Sequence, residues 1–411
     1  RTLIHRTHLC FAFLKKIFVR FSKNSNPVCK IHFEIGNTVN NCDFRLLALY
    51  LIIMDKIFKP YLREIEAALQ EQLPLRTNPE WQEESFSSLS KCVNDSHIEN
   101  LTVPCRFLMD LGGKRWRPLL MVLCYKLALD AGKKPVISED EIFTLTSLVE
   151  FAHTASLIHD DIEDSSDTRR GESAVHIKYG LDNALNAGSW LYFQAAAAIQ
   201  KVDASDSFKA TLYELYATLI RRLHLGQAMD IFWHSNPEIF PSPSEYTQMV
   251  HLKTGTLSRL AVQAGLLAGG FSSEETEKAG VIAETLGEGF QILDDVQNIT
   301  SGNPGKNRGD DIVEGKKSLP VLMHIKEKPK DAAKIAYYFQ KANYEGISSE
   351  AVEKCIELLE TGGAIRKSRD RGTKCILESM QSLAHFGGVS GDAESSVLIK
   401  KLFAGMIPET V

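Results

Sequence analysis

Hydrophobic positions after residue 54 recur at three- and four-residue steps through most of the chain. Ile142, Leu145 and Val149 follow this spacing, which is the period of one face of an α-helix. Three long segments have the same character: 205–235, 243–269 and 274–298. Alternating apolar and polar positions, typical of strands, are hard to find. The pattern predicts an all-α fold, a single large bundle of ten or more helices.

Short groups of Gly, Pro and Asn separate these periodic segments, as at Leu111–Gly113 and Gly302–Gly305. No linker, low-complexity tract or solenoid period interrupts residues 54–411. We therefore expect one domain over 54–411.

Residues 1–53 are different, with eight Lys and Arg against two acidic residues and no clear periodicity. The sequence starts at Arg1, whereas Met54 opens the regular segment, so we interpret 1–53 as a basic extension outside the fold. An organelle-targeting peptide is the alternative, because such peptides are basic and poor in acids. The predicted location is accordingly cytoplasmic, with an organelle as the alternative. The apolar run 46–53 is too short to span a bilayer, which needs about 20 residues.

Overall composition excludes some classes of protein. The net charge of -5 argues against a general nucleic-acid binder. The eight cysteines are scattered without a CxxC pair, which favours reduced thiols over a disulfide framework or a zinc site.

Two apolar helices are predicted to end in paired carboxylates. Asp160 and Asp164 are four residues apart, so they share a helix face, where like charges cost a few tenths of a kcal/mol. A bound Mg²⁺, which prefers oxygen ligands, would relieve that repulsion. Asp294 and Asp295 end a second apolar helix, and two such ends facing one cavity could hold several ions around one diphosphate. The alternative for each cluster is a solvated acidic helix end.

Basic residues supply the counterpart to these carboxylates. Lys114 and Arg117 lie one helical turn apart beside a glycine turn, which makes a compact anion site. The adjacent arginines Arg169 and Arg170 suit a diphosphate, because guanidinium groups bind phosphate oxygens in pairs. Exposed charges at helix starts and turns are the alternative.

The ordered motifs GGKRWRP, HTASLIHDDIEDSSDTRRG, GQAMD, KTG, GFQILDDVQN and GDDIVEGKKSLP resemble those of the trans-isoprenyl diphosphate synthases. The resemblance covers roughly residues 103–383. It implies a helical bundle around a deep central cavity, usually a homodimer. It also implies a prenyltransferase that uses two to three Mg²⁺ ions to join an allylic diphosphate to isopentenyl diphosphate.

The resemblance also implies roles for individual residues. Isopentenyl diphosphate would bind Lys114, Arg117, His153 and Arg170. The Mg²⁺ ligands would be Asp160, Asp161, Asp164, Asp294 and Asp295. The allylic diphosphate would bind Arg169, Lys253, Thr254, Gln291, Lys306 and Lys316. The catalytic group would be the five aspartates with Lys253 and Arg169. Gln227 and Asp230 match the GQxxD segment and would support the metal site or be structural. Asn298 stands where a third aspartate often occurs and is not expected to bind metal.

Product length depends on the residues that precede the first aspartate. Ser156 and Ala155 are small and lie about one helical turn deeper, with Ala152 deeper still. In the family, bulky aromatics there stop growth early, so we expect a product of twenty carbons or longer. Trp190 and Phe193 could form the pocket floor or simply pack in the core.

Two other functions share some of these features. A non-catalytic partner subunit of a heteromeric synthase would typically have lost carboxylates that are present here. A class I terpene cyclase would lack the GGKRWRP segment, because it binds no isopentenyl diphosphate.

Overall fold

The computed structural model describes residues 42–302 and 307–407, with side chains from residue 57 onward. Contacts divide the chain into residues 1–49 and 50–411, and the helical bundle belongs to the second unit. Its long helices confirm the prediction of an all-α bundle of ten or more helices. Most of the predicted extension 1–53 lies outside the described residues. The predicted phosphate ligand Lys306 lies outside them entirely.

The elements follow one another with short connections. In chain order the α-helices are Cys42–Gln72 (α1), Pro79–Phe86 (α2), Asp95–Asp110 (α3), Trp116–Asp130 (α4), Glu139–Glu163 (α5), Val175–Tyr179 (α6), Leu181–Ala195 (α7), Ala197–Lys201 (α8), Asp206–His234 (α9), Pro243–Val250 (α10), Thr256–Ala268 (α11), Ser273–Thr300 (α12), Asp310–Glu314 (α13), Leu319–Glu327 (α14), Ala332–Glu345 (α15), Glu350–Thr361 (α16), Ala364–Ala384 (α17) and Glu394–Ala404 (α18). A π-helix occupies His251–Gly255, and short 3₁₀ turns occupy Pro329–Asp331 and Phe386–Gly388.

Serine capping boxes fix where the site-bearing helices begin. Ser138 starts α5 and Ser272 starts α12, and each serine side chain accepts a hydrogen bond from the third residue of its helix. That third residue is a glutamate whose side chain accepts from the cap backbone N–H in return. Such a cap contributes about 1 kcal/mol and satisfies donors that a helix start leaves free. The starts of α5 and α12 are thus set by local sequence.

The core surrounds α11, all of whose residues are buried. Helices α4 and α12 pack on it closely, since a Cβ at Gly265 would lie 3.0 Å from the Cβ of Cys124. Helices α5, α9 and α12 stand around this centre and carry their carboxylates to the same end of the bundle. No helix in the described ranges is long and apolar enough to cross a membrane.

A two-stranded hairpin follows α5, with Thr168–Arg169 (β1) paired antiparallel to Glu172–Ser173 (β2). Its two turn residues, Arg170 and Gly171, both have positive φ, as the favoured two-residue hairpin turn requires. The hairpin therefore turns the two arginines in different directions. Arg169 contacts the carboxylate of Asp161, and Arg170 contacts the carbonyl of Gly112.

Candidate active site

A cavity of about 550 Å³ opens between the ends of α5, α9 and α12. Asp160 from α5 and Asp294 from α12 both line it, together with the π-helix and the segment 316–318. Its volume is ordinary for a small-molecule site, which spans roughly 300–1,000 Å³. The structure thus brings the two predicted acidic clusters to one hollow, although α12 continues to Thr300 and does not end at Asp294 and Asp295 as predicted.

Asp160 is surrounded by cationic and amide groups. Lys253 Nζ lies 3.1 Å from its Oδ1 and 2.7 Å from Asp230 Oδ2, and Gln227 Nε2 donates to the same Oδ1 at 3.2 Å. Burial alone would raise the pKa of Asp160, but Lys253, Lys316 and Arg169 outweigh it and hold that pKa well below its usual range. Asp160 is therefore ionised at any physiological pH. Gln227 and Asp230, the GQxxD residues, hold the Asp160–Lys253 pair in place.

The other two carboxylates of the first cluster are set further back. Asp161 is fully buried, and its Oδ1 accepts from Arg169 Nε at 2.7 Å. Asp164 has a side chain only 5% exposed, and its Oδ2 lies 3.1 Å from Lys316 Nζ. Lys316 also contacts Glu314, at 2.7 Å. The predicted allylic-site cations thus pair with the predicted metal ligands.

The second cluster divides between an exposed and a buried aspartate. Asp294 faces the cavity, whereas Asp295 is 5% exposed and accepts three hydrogen bonds. Its donors are Tyr246 Oη at 2.6 Å, Gln291 Nε2 at 3.0 Å and the backbone N–H of Leu319 at 3.1 Å. Asp295 therefore joins α10, α12 and α14 beneath the site. Tyr246 belongs to no recognised motif, so no sequence signal pointed to it.

The predicted isopentenyl diphosphate site is a basic cluster at another part of the same cavity. Lys114, Arg117 and His153 line it. Burial lowers the pKa of Arg117 to about 10, only partly countered by Glu150. No described acceptor reaches the buried Nε of Arg117. A buried guanidinium with an unused donor is a strong site for an anion, because an unpaired buried charge is costly.

His153 and Arg170 complete this cluster. Burial, and then the charge of Arg117 and Arg170, lowers the pKa of His153 well below its usual value, so its imidazole is neutral and can still donate one N–H. Arg170 Nη1 donates to the carbonyl of Gly112, which ties the hairpin to the glycine turn. Arg115, within the same motif, instead pairs with the buried Glu150 at 2.7 Å.

A row of aromatic rings that sequence reasoning missed lies along one wall of the cavity. The Tyr192 ring lies 5.6 Å from that of His159 and 5.0 Å from that of His224, measured between centroids. All three line the cavity with Ser156. They come from α5, α7 and α9, so only their shared position in three dimensions reveals them.

The remaining predicted pocket residues lie elsewhere. Ala152 and Ala155 have no exposed surface and pack in the main core, because successive residues of a helix point about 100° apart and Ser156 takes the cavity side. Trp190 stacks on Phe86, and Phe193 is 80% exposed. Neither of these two aromatics lines the cavity.

The donor set suits a hard dication. Carboxylate oxygens are the ligands Mg²⁺ prefers, and Asp160 and Asp294 present them to one cavity. Oδ2 of Asp161 is buried and has no hydrogen-bond donor within the described ranges. Asn298 is buried and accepts from the N–H of Asp311 at 3.2 Å, which is a structural contact.

Comparisons with known proteins point to one family. The sequence profile of the polyprenyl synthetase family matches residues 98–359. A geranylgeranyl pyrophosphate synthase of Gibberella zeae is 32% identical over 74% of this chain and 79% of its own length. One of Metarhizium anisopliae is 30% identical over 78% of this chain and 92% of its own.

Solved structures share the fold. A geranylgeranyl pyrophosphate synthetase of Pyrococcus horikoshii superposes with a TM-score of 0.70 and 24% identity over 90% of this chain and 100% of that one. A polyprenyl synthase of Caulobacter crescentus, solved with calcium and isoprenyl diphosphate, has a TM-score of 0.66 and 23% identity, covering 86% and 96%.

Proposed function

The chain belongs to the polyprenyl synthetase family, and we propose that it is a trans-prenyl diphosphate synthase that extends an allylic diphosphate with isopentenyl diphosphate to a twenty-carbon product. The observation that carries this proposal is the meeting of Asp160 and Asp294 at one cavity that also holds two separate basic clusters. Two clusters suit two diphosphate substrates bound side by side.

The allylic diphosphate would lie against the basic cluster of Lys253, Lys316 and Arg169, beside the first group of aspartates. Lys253, Lys316 and Arg169 already neutralise aspartates there, so they can transfer hydrogen bonds from carboxylate to phosphate oxygens without moving far. Mg²⁺, which when bound neutralises charge on the leaving group, would be held by the five predicted ligands Asp160, Asp161, Asp164, Asp294 and Asp295. Asp161 would also orient Arg169, and Asp295 would also tie α12 to α10 and α14.

The second substrate would be oriented by its own cluster. Lys114, Arg117 and neutral His153 would hold the diphosphate of isopentenyl diphosphate with its double bond toward the allylic carbon. Bringing the two carbons together in this way lowers the barrier by removing translational freedom. As the allylic C–O bond breaks, Lys253 and Arg169 would stabilise the negative charge that gathers on the departing diphosphate. That diphosphate would then accept the proton lost from the new chain.

The aromatic row would set the length of the product. Ser156 is small and lines the cavity, and the growing chain would stop where it meets the Tyr192 ring and its neighbours His159 and His224. Named relatives that make geranylgeranyl pyrophosphate support a stop at twenty carbons.

A homodimer is the proposed assembly. Large apolar side chains are exposed on α7 and α9, at Leu185, Phe193, Leu225 and Phe232. Exposed apolar groups on neighbouring helices are typical of a protein–protein contact. Light scattering of the purified protein tests this, and a monomeric mass at micromolar concentration would contradict it.

The activity test uses purified protein alone with MgCl₂, labelled isopentenyl diphosphate and a short allylic primer. Chromatography of the dephosphorylated product should show a twenty-carbon alcohol, and chelation of Mg²⁺ should abolish it. No incorporation by the isolated protein would favour the non-catalytic partner subunit. Diphosphate release and a hydrocarbon product without isopentenyl incorporation would favour a cyclase.

A further inference from the structure

A buried polar cluster lies outside the cavity, directly behind the π-helix. Glu288 of α12 has a side chain only 5% exposed, and its Oε2 accepts from His251 Nε2 at 2.9 Å. Its Oε1 accepts from Arg371 Nε of α17 at 3.1 Å and from Thr247 Oγ1 at 3.3 Å. None of these four residues lines the cavity in the part of the chain that the structure describes.

Burying charged side chains costs free energy of folding, so this cluster calls for a role that apolar packing could not fill. Burial would raise the pKa of Glu288, but His251 and Arg371 outweigh it and lower that pKa, so the carboxylate is ionised. Buried ion pairs are often no more stabilising than apolar residues of similar size. Their attested use is to choose one arrangement among several.

The segment whose conformation this cluster could select is the π-helix His251–Gly255. π-Helical turns are rare, and they are frequently found at functional sites. This one carries Lys253, which contacts Asp160, and Thr254, whose Oγ1 donates to Gln291 Oε1 at 2.9 Å. A return to α-helical register would rotate the following side chains by about 100° per residue displaced. Either Lys253 or Thr254 would then leave the cavity.

Backbone packing on both sides leaves room for this turn. A Cβ at Gly287 of α12 would lie 2.6 Å from Cα of Gly255, and one at Gly226 of α9 would lie 2.7 Å from the carbonyl carbon of Leu252. The two glycines therefore admit the π turn between α9 and α12. They carry no side chain that could select its register.

We propose that Glu288, His251 and Arg371 form a register lock for the π-helix, which holds Lys253 and Thr254 toward the diphosphate. His251 is the first residue of the turn, so its bond to Glu288 fixes where the turn begins. Arg371 holds the carboxylate in place from α17. These three are positioning residues, and their effect on turnover rests on the proposed function.

The test compares Glu288→Gln and His251→Leu with Glu284→Gln. Glu284 lies one turn earlier on α12, is similarly buried and pairs with Arg222 and Arg259. Its replacement therefore removes a comparable buried ion pair and should lower stability by a similar amount. Hydrogen exchange of peptides over 247–258, melting temperature, kcat and the KM of each substrate are measured for all variants. We expect faster exchange at 251–256 and a kcat lower by about ten- to a hundredfold for the two lock variants, because small misplacements of binding groups have effects of that size.

Arg371→Lys against Arg371→Met supplies the conservative rescue. Lysine retains a cation near Glu288 and should keep most of the turnover, whereas methionine should lower kcat as Glu288→Gln does. Equal behaviour of Glu288→Gln and Glu284→Gln in exchange and kcat would overturn the register lock while leaving the synthase activity standing. If the wild-type protein makes no prenyl product, the proposed function fails. The exchange comparison then decides the lock by itself, since unchanged exchange at 251–256 overturns it and faster exchange supports it.

Discussion

Replacing Lys253 with methionine tests the centre of the proposed site. Lys253 Nζ lies 3.1 Å from Asp160 and 2.7 Å from Asp230, so one ammonium contacts two carboxylates, and it lines the cavity of the proposed leaving group. Loss of a single donor aimed at developing negative charge typically lowers kcat by about 10²–10³, or roughly 3–4 kcal/mol of transition-state stabilisation. We expect Lys253→Met to lose turnover within that range.

The same substitution should also weaken the fold. Breaking a fully buried pair costs about 3–5 kcal/mol, but the side chains here are 15–22% exposed at a cavity wall. Screening by water in the cavity reduces the expected loss to about 1–3 kcal/mol in the free energy of unfolding. Since Asp160 loses its ammonium neighbour, added Mg²⁺ should raise the melting temperature of Lys253→Met more than that of wild type.

The assay is steady-state incorporation of labelled isopentenyl diphosphate, with urea unfolding and melting curves with and without MgCl₂. Lys278→Met is the control, because Lys278 sits in an exposed pair on α12 away from the cavity. A kcat within about threefold of wild type, less than 1 kcal/mol, would refute the proposed role of Lys253. An equal loss in Lys278→Met would refute it as well.

Three further predictions test the pocket floor and a buried lysine. Tyr192→Ala should lengthen the product in chromatography by opening the proposed floor of the pocket. Tyr344→Ala, at a position 92% exposed, should leave the product length unchanged. Identical product profiles for the two variants would count against the proposed floor. Ser156→Phe should shorten the product by filling the upper pocket, and an unaltered length would argue that chains grow elsewhere. Burial lowers the pKa of Lys317 from 10.5 to about 8. Below pH 8 its charge therefore destabilises the fold by up to about 3 kcal/mol. This cost disappears as the pH rises from 8 toward 10.5. Lys317→Met should therefore raise the free energy of unfolding at pH 7 and much less near pH 10, and an equal gain at both values would contradict this.

Some parts of the site were predictable because they depend on local sequence. The helix starts at Ser138 and Ser272 follow from capping, and the shared helix face of Asp160 and Asp164 near the end of α5 follows from their four-residue spacing. The motif order then indicated a shared diphosphate site, and the cavity between Asp160 and Asp294 agrees with that expectation.

Other parts needed contacts between residues distant in sequence. Asp160 and Asp161 are adjacent, yet only packing decides that Asp160 faces the cavity while Asp161 is buried against Arg169. Likewise, the small residues Ala155 and Ser156 looked equivalent, and the tilt of α5 against its neighbours puts only Ser156 on the cavity wall.

The amino-acid order alone determined the helical class, the helix starts and the presence of two carboxylate ends with basic partners, because each arises from interactions within a few residues. Tertiary structure decided the contact between the rings of Tyr192 and His224, and the hydrogen bonds of Glu288 that join α17 to the π-helix. Those features are built from side chains on different helices. Their distances are fixed by how the helices cross, which no short stretch of sequence encodes.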